Sequence, residues 1–162
     1  MASQKAKRPD VLALGALLAL SAAVASVSGV ATVHSVGSWY PALVKPSFNP
    51  PNWLFGPVWL VLYAAMAVAA WRVWRQRDRL KVRRALSLYG GQMALNFAWS
   101  LIFFGLRQIT AAVADILALL VVLAITLAAF WKVDRFAGLL MVPYLVWIMF
   151  AALLTFAIWR LN

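Results

Sequence analysis

Five long apolar segments dominate this sequence, and each is long enough to cross a lipid bilayer as a helix. They lie at about residues 11–33, 52–74, 85–106, 109–131 and 136–159. About 20 apolar residues in a helix span the bilayer core. Hydrophobic residues make up 65% of the chain and charged residues only 12%, which is too little charge to cover a soluble domain. The sequence therefore predicts an all-α integral membrane protein, a five-transmembrane-helix bundle that forms one domain over residues 11–162.

The basic residues lie mainly on one side of the predicted bundle. Five spans put the two termini on opposite faces of the membrane, and the tail at 1–10, the segment 72–84 and the turn 132–135 share one face with twelve Lys and Arg residues. The other face carries only three, Lys45, Arg107 and Arg160. Because cytoplasmic loops are enriched in Lys and Arg, we predict a multi-pass protein of the bacterial inner membrane with a cytoplasmic N-terminus. We expect no nucleic-acid partner, although a patch for anionic lipid or nucleic acid at 72–84 is the alternative.

The first apolar segment allows two interpretations. A basic start at residues 2–10 and small residues around Ala23 and Ala25 fit a cleaved signal peptide. The apolar run, however, continues through Val33, which is long enough to span a bilayer. We therefore favour a retained first helix, preceded by a cytoplasmic tail over residues 1–10.

The connection between the first two predicted helices is rich in proline and tryptophan. Residues 39–63 contain five of the seven prolines and three of the nine tryptophans. Proline fixes φ and lacks a backbone donor, so Pro50-Pro51 is extended or a turn, whereas a helix can begin near Trp53. We predict that the part through Pro51 is the lid of a binding site, with Tyr40 and Pro50 at its inner edge, and that the following helix is one wall.

Polar and aromatic side chains form one stripe on the third predicted helix. The stripe consists of Gln92, Asn96, Trp99 and Phe103, which share a face at about 100° per residue. Polar groups in hydrocarbon are costly, so we predict that this face lines a site in the bundle interior. The alternative is that Gln92 and Asn96 only hydrogen-bond a neighbouring helix.

Small residues form a second stripe on roughly the opposite face of the same helix. Gly90, Ala94 and Ala98 recur every four residues, a spacing that lets two helix backbones approach closely in a membrane. We predict that this face contacts a partner helix in a homodimer.

Aromatic side chains at helical spacing also mark the second and fifth segments. The second presents Phe55, Trp59, Tyr63 and Met66 on one face. The fifth presents Trp147, Ala151 and Thr155. Such stripes are commonly core packing, but Trp59, Trp99 and Trp147 lie deeper than the interfacial tryptophans of a membrane helix. These three would suit a flat apolar or aromatic ligand.

Catalytic and metal chemistry receive no support from the residue types present. The chain has no cysteine and a single histidine, His34, which together cannot build a metal site. Asp115 is the one carboxylate at predicted membrane depth, and a proton pathway normally needs several such groups. No nucleophile–base pair, paired carboxylates or phosphate loop is present, so we expect no classical enzyme and no resident cofactor.

Three pieces of the sequence resemble the TspO/MBR family, the tryptophan-rich sensory proteins. They are WYPALVKPSFNPPNWLFGPVWLVLY (39–63), ALSLYGGQMALNFAWSLIFF (85–104) and DRFAGLLMVPYLVWIMFAALLTFAIWRLN (134–162), and they occur in the family's order. The resemblance implies a five-helix bundle that often forms homodimers. It also implies a pocket on the side of the proline-rich loop that binds porphyrins, haem-like tetrapyrroles and sterols.

The resemblance also implies which positions contact the ligand. The family's ligand-site positions match Tyr40, Pro50, Trp59, Asn96, Trp99, Trp147 and Ala151 of this sequence. With the helix faces above, the full set of expected ligand residues adds Tyr63, Phe103 and Thr155. Thr155 and Phe156 stand where many members have Asn and Tyr, so a pocket hydrogen bond differs here and a sterol motif is incomplete.

The leading functional hypothesis is a membrane receptor or sensor that binds a tetrapyrrole, a porphyrin or haem, with a role in tetrapyrrole regulation or transport. The rival hypothesis is an enzyme that degrades bound porphyrin in the presence of light and oxygen. In that case the resemblance implies that Trp59 and Trp147 are the reactive tryptophans. A third hypothesis is a small-molecule exporter, which the lone carboxylate Asp115 does not favour as a proton-coupled device.

Overall fold

The protein is a bundle of five long helices joined by short connections, apart from the proline-rich loop over residues 37–51 between the first two helices. The computed structural model describes residues 7–76 and 80–162. The helices are α1 (Lys7–Val36), α2 (Asn52–Trp74), α3 (Leu80–Ser100), α4 (Ile109–Val133) and α5 (Arg135–Leu161). A π-helix, Leu101–Gly105, continues α3, and a short 3₁₀ turn, Tyr40–Ala42, interrupts the loop between α1 and α2. No strand occurs within the described ranges, so the prediction of an all-α, five-helix architecture is confirmed.

Four of the five helices are long and apolar enough to cross a membrane. These are α1 from Asp10 onward, α2, α4 and α5. The third helix is more polar because it begins inside the basic segment, with Lys81, Arg83 and Arg84 in its first turns. Its apolar part lies further along and runs on into the π-helix, so α3 and the π-helix together form a continuous helical element.

Two helices begin earlier than the sequence pattern predicts. The first begins at Lys7 rather than at about residue 11, and the third begins at Leu80 rather than at about residue 85. Pro9 does not prevent the early start of α1, because proline is tolerated in the first helical turn, where its N–H would have no helical partner. At the start of α3, the long basic side chains of Lys81, Arg83 and Arg84 favour helix and are exposed, which keeps their charges outside the apolar layer. Residues 1–6 of the predicted tail and 77–79 of the basic segment lie outside the described ranges.

The helices pack as a ring in the order α1, α2, α5, α4 and α3. The most extensive interfaces join α4 to α5, α4 to α3, α1 to α2, and α2 to α5. The first helix closes the ring against the π-helix more than against α3 itself. Large buried side chains such as Met66, Leu123, Tyr144 and Ile148 fill the centre. The core therefore lies where α2, α3, α4 and α5 face one another, and the site described below is built at one end of it.

A single carboxylate organises the junction between α4 and α5. The Oδ1 atom of Asp134 accepts hydrogen bonds from the backbone N–H groups of Phe136 at 2.8 Å and Ala137 at 3.1 Å. This is the geometry of an N-cap, which satisfies donors at the start of a helix. Its Oδ2 atom pairs with Arg72 of α2, with a shortest N–O distance of 2.9 Å. One side chain thus starts α5 and ties it to the end of α2.

Candidate functional site

A small, partly enclosed cavity lies beneath the proline-rich loop, between α2, α3, the π-helix and α5. Its volume is about 30 Å³, which is room for about one water molecule. It is lined by Tyr40, Phe55, Trp99, Phe103, Phe104, Trp147, Phe150, Ala151, Leu154, Thr155 and Ile158. The lining is almost entirely aromatic and aliphatic, so the site favours apolar groups over water.

Ring contacts hold the walls of this cavity in place. Trp99 and Phe103 stack with ring centroids 5.2 Å apart and an interplanar angle of 14°. On the opposite side, Trp147 contacts Phe55 at 6.0 Å and Phe150 at 5.6 Å. Such aromatic pairs stabilise by about 0.5–1.5 kcal/mol beyond the area that they bury. The cavity therefore has two tryptophan walls whose orientation is fixed by neighbouring rings.

One polar atom of the cavity wall is buried without a partner. The indole Nε1 of Trp99 donates no hydrogen bond to any of the described residues. A buried unpaired donor costs about 1–3 kcal/mol, and such groups in a native structure call for an explanation. A ligand acceptor that reached Trp99 would remove this cost.

The π-helix shapes the end of the cavity next to the loop. The backbone N–H of Leu106 donates to the carbonyl of Leu101 at 2.7 Å, the wider spacing of a π-turn, and such turns are frequent at functional sites. Phe103 and Phe104, adjacent in sequence, are both buried. The hydroxyl of Ser35 donates to the carbonyl of Phe104, so α1 is fastened to this turn. The widened turn lets two consecutive rings face the bundle interior.

The loop above the cavity is held by its own polar groups. The ammonium group of Lys45 donates to the carbonyls of Tyr40 at 2.9 Å, Pro41 at 3.1 Å and Leu43 at 2.9 Å. The hydroxyl of Tyr40 donates to Oδ1 of Asn49 at 2.6 Å, and burial raises the pKa of this hydroxyl to about 12. Tyr40 is therefore protonated at physiological pH and remains a donor. Lys45, Tyr40 and Asn49 thus fix the conformation of the loop next to the cavity, and the role of the loop as a lid remains a prediction.

The end of the chain also contacts the loop. The side-chain amide of Asn162 accepts from the backbone N–H of Val44 at 3.1 Å and donates to its carbonyl at 3.0 Å. The same amide donates to the carbonyl of Ile158 in the last turn of α5 at 2.9 Å. Phe48 of the loop meets Phe150 of α5 with centroids 6.5 Å apart. The loop is thus closed onto α5 by one polar clamp and one ring contact.

A buried hydrogen-bond network lies next to the cavity, deeper in the bundle. The hydroxyl of Tyr63 donates to Oδ1 of Asn96 at 2.6 Å. The Nδ2 of Asn96 in turn donates to the hydroxyl of Tyr144 at 3.1 Å. The ring of Trp59 lies 5.3 Å from that of Tyr63 and 6.2 Å from that of Tyr144. Asn96 therefore joins α2, α3 and α5 at one buried point. These contacts match the alternative in which Asn96 hydrogen-bonds neighbouring helices, and Asn96 does not line the cavity itself.

The ten expected ligand residues fall into three groups in the structure. Six line the cavity: Tyr40, Trp99, Phe103, Trp147, Ala151 and Thr155. Three belong to the adjacent network: Trp59, Tyr63 and Asn96. Pro50 lines neither and lies half-buried in the loop, where its carbonyl accepts from the side chain of Asn49 at 3.1 Å. The contact of these residues with a ligand remains a prediction.

Several residues of the site were absent from the predicted set. The cavity also contains Phe55, Phe104, Phe150, Leu154 and Ile158. Tyr144 completes the network, and it could have been found because it precedes Trp147 by one helical turn on the same face. The clamp from Asn162 to Val44 had no signal in the sequence, because it joins positions 118 residues apart.

Comparison with known proteins agrees with this arrangement. The model of the TspO/MBR family matches residues 16–160. The chain belongs to the TspO/MBR family. It is 42% identical to the human translocator protein over 133 residues, which cover 80% of this chain and 79% of that protein. It is 40% identical to a tryptophan-rich protein TspO of Archaeoglobus fulgidus over 131 residues, 81% of this chain and 84% of the relative.

A bacterial member is equally similar. A tryptophan-rich sensory protein of Cereibacter sphaeroides is 40% identical over 124 residues, 76% of this chain and 77% of the relative. The resemblance to the TspO/MBR family that the three sequence pieces indicate is therefore confirmed. Together with the apolar helices, the family places the chain among multi-pass membrane proteins.

Proposed function

We propose that this TspO/MBR protein is a membrane receptor or sensor that binds a tetrapyrrole, a porphyrin or haem, between Trp99 and Trp147 beneath the proline-rich loop. The observation that carries the proposal is the partly enclosed aromatic cavity with a fastened lid. Flat rings stack favourably on indole and phenyl faces, and ligand sites are typically apolar clefts with few polar groups. The names of the relatives, translocator protein and sensory protein, favour a role in translocation or sensing, and on this proposal the ligand involved is the tetrapyrrole.

A ligand as large as a tetrapyrrole can bind in this cavity only if the lid opens. Pockets for small molecules typically have volumes of about 300–1,000 Å³, whereas this cavity has about 30 Å³. The loop between Leu43 and Pro51 lies outside every helix and contacts the cavity-lining residue Tyr40 through Lys45 and Asn49, so it can move away from the cavity without breaking a helix. The Nε1 donor of Trp99 then supplies a hydrogen bond for an acceptor of the ligand. A sterol, which is also flat and apolar, is the second ligand class that these walls would accept.

The experiment is a titration of the purified protein in detergent with protoporphyrin IX, followed by quenching of tryptophan fluorescence. We expect saturable quenching in the wild type and at least about tenfold weaker affinity in Trp99→Leu with Trp147→Leu, since two ring contacts are lost. Trp53→Leu is the matched control, because Trp53 is 72% exposed at the start of α2. Unsaturable quenching, or equal affinities of the double variant and the control, would contradict the proposal.

Light-dependent breakdown of bound porphyrin is the second candidate activity. The observation in its favour is that Trp59 lies against Tyr63 and Tyr144, so an oxidisable indole is next to two further oxidisable rings. Molecular oxygen would be the oxidant and the photoexcited porphyrin the molecule that is oxidised, with Trp59 or Trp147 as the reactive tryptophan of the protein. Illumination of the complex should then convert the Soret band into that of a defined product, and Trp59→Phe with Trp147→Phe should abolish the conversion. Equal bleaching in the variant and the wild type would contradict the enzymatic activity and support ligand binding only.

The orientation proposed for the chain has its N-terminus in the cytoplasm of a bacterium, in the inner membrane. The support is the distribution of twelve basic residues on one face and three on the other. Because the chain has no cysteine, single cysteines report orientation cleanly. We expect a membrane-impermeant maleimide added to spheroplasts to label Ser47→Cys in the loop but not Lys132→Cys at the end of α4. The reverse pattern would invert the topology.

A further inference from the structure

A second, larger concavity lies outside the candidate site. It has a volume of about 560 Å³, opens laterally between α1 and α3, and is almost entirely apolar. Leu17 and Val24 of α1, Trp74 of α2, and Met93 and Phe97 of α3 are among its lining residues. Gly90 and Ala94 lie along its edge and are exposed. We call this concavity the α1–α3 groove.

The groove exists because α1 and α3 are joined at one end only. At the end next to the proline-rich loop, α1 packs on the π-helix, where Ser35 donates to the carbonyl of Phe104. Toward the other end, the N-terminal part of α1 is instead fastened to α2, since the indole of Trp71 donates to the carbonyl of Asp10 at 2.7 Å. The two helices therefore diverge, and the apolar groove between them opens to the lipid.

Basic side chains continue the groove at its open end. Arg83 precedes Leu86 by three residues and Gly90 by seven, so it lies on the same face of α3 one turn beyond the groove. Arg83, Arg84 and Lys81 are exposed and form no ion pair with any described residue. An apolar groove that ends in uncompensated positive charge matches a molecule with a long apolar chain and an anionic head.

We propose that the α1–α3 groove binds one anionic phospholipid, with an acyl chain along Leu17, Met93 and Phe97 and the phosphate group against Arg83. The volume of about 560 Å³ lies within the range of small-molecule sites. Basic residues at the end of a transmembrane helix attract anionic lipid. A zwitterionic lipid would fill the apolar part equally but would leave the charge of Arg83 uncompensated.

A symmetric dimer through Gly90 and Ala94 does not remove the need for this lipid. In a two-fold contact the same patch of both copies meets, so Arg83 and Arg84 of the two copies would approach one another. Like charges at such an interface are unfavourable, and an anionic headgroup between them would neutralise the repulsion. Charge complementarity therefore favours lipid at this end of the groove whether the protein is a monomer or a dimer.

The test measures lipid retained by the purified protein in detergent, by native mass spectrometry, with dioleoyl phosphatidylglycerol and dioleoyl phosphatidylcholine offered separately. We expect about tenfold stronger retention of the anionic lipid, the effect of one or two basic residues at a membrane surface. Arg83→Gln should lower it to the level of phosphatidylcholine. Gly90→Leu, which fills the groove where an added Cβ meets nothing within 4 Å, should release both lipids.

Two control variants carry the same changes elsewhere. Arg160→Gln removes a charge at the opposite end of the bundle, and Ala124→Leu enlarges an exposed residue of α4; both should retain lipid as the wild type does. Equal retention of the two lipids by the wild type would overturn the proposal, and so would unchanged retention in Gly90→Leu. A Gly90→Leu variant that loses dimerisation but keeps its lipid would assign the groove to a second copy instead. Arg83→Gln alters only an exposed side chain, so the test holds even if Gly90→Leu fails to fold.

Discussion

The side-chain amide of Asn162 and the backbone of Val44 are paired by two hydrogen bonds, of 3.1 and 3.0 Å. The amide thus engages both polar groups of one loop residue, as a neighbouring strand would. Because Asn162 is also bound to the carbonyl of Ile158, its orientation is set by the last turn of α5. The loop over the cavity is therefore held by a residue that is far from it in sequence.

Asn162→Ala is expected to loosen the loop without disturbing the bundle. Each hydrogen bond contributes about 0.5–1.5 kcal/mol, so loss of both should raise the population of the open loop about tenfold. Hydrogen–deuterium exchange of peptides that cover residues 43–49 should accelerate accordingly. Arg160→Ala, an exposed change in the same turn, is the control and should exchange at the wild-type rate. Unchanged exchange in Asn162→Ala would mean that Lys45 and Asn49 alone hold the loop.

Asn96→Ala is expected to destabilise the bundle more than the loss of either tyrosine hydroxyl. The substitution leaves the hydroxyls of Tyr63 and Tyr144 without their shared partner, and each buried unpaired group costs about 1–3 kcal/mol. Hydrogen bonds between membrane helices are worth less on average, at about 0.6 kcal/mol, so we expect a total loss of about 1–3 kcal/mol. Thermal unfolding in detergent measures the melting temperatures of the three variants and so ranks their stabilities.

The comparison variants for this network are single hydroxyl deletions. Tyr63→Phe removes the donor of the 2.6 Å bond, and Tyr144→Phe removes the acceptor of the 3.1 Å bond. Since the shorter bond joins the better-placed pair, Tyr63→Phe should lower the melting temperature more than Tyr144→Phe. A wild-type melting temperature for Asn96→Ala would show that the network contributes nothing to stability.

Two glycine substitutions should have opposite effects. A Cβ at Gly138 would lie 2.6 Å from Cε3 and 2.9 Å from Cα of Trp131, so Gly138→Ala forces α4 and α5 apart and should cost about 1–3 kcal/mol. A Cβ at Gly90 meets nothing within 4 Å, and alanine is the better helix former by about 1 kcal/mol. Gly90→Ala should therefore leave the melting temperature unchanged or raise it. The prediction is wrong if the two variants shift the melting temperature in the same direction.

The Arg72–Asp134 pair should make stability depend on pH in the acid range. Burial raises the pKa of the Asp134 carboxyl, but hydrogen bonds from Ala137 and Phe136 together with the charge and hydrogen bond of Arg72 outweigh it and hold the pKa below its usual value of 3.8. A depressed pKa means that the stabilisation is complete above the unfolded-state pKa and is lost as the pH falls through the folded-state pKa.

The melting temperature of the wild type should thus fall between about pH 5 and pH 2 by more than that of Asp134→Asn. The variant should already be less stable than the wild type at pH 7, because asparagine carries no negative charge to pair with Arg72. Asparagine can still cap the helix, so the loss is limited to the ion pair. Parallel pH profiles for wild type and Asp134→Asn would refute the assignment.

The architecture was largely predictable because a bilayer imposes strong and simple constraints. Apolar length alone places α2 over residues 52–74, as in the structure. Helix starts were harder to predict, because Lys7 and Leu80 lie in basic sequence where hydropathy gives no signal. The π-helix at Leu101–Gly105 was also missed, since its hydrogen-bond spacing depends on packing against α1 and not on composition.

The candidate site was predictable in part for the same kind of reason. Helical periodicity brings Asn96 and Trp99 to one face, and the structure places Asn96 in a network and Trp99 in the cavity wall. Periodicity within one helix cannot tell which helices face each other, so the bond from Asn96 to Tyr144 required the tertiary structure. The near absence of empty space in the cavity likewise depends on ring orientations that no sequence pattern specifies.

The closed state of the cavity has a thermodynamic consequence. If only a small fraction of molecules has an open loop, the measured dissociation constant equals the intrinsic constant divided by that fraction. Substitutions at Asn162 or Lys45 would then change the apparent affinity for every ligand by the same factor, although neither residue belongs to the cavity lining. Substitutions at Trp99 or Trp147 would change it by factors that differ from ligand to ligand. The ratio of affinities across a ligand series can therefore separate gating residues from recognition residues.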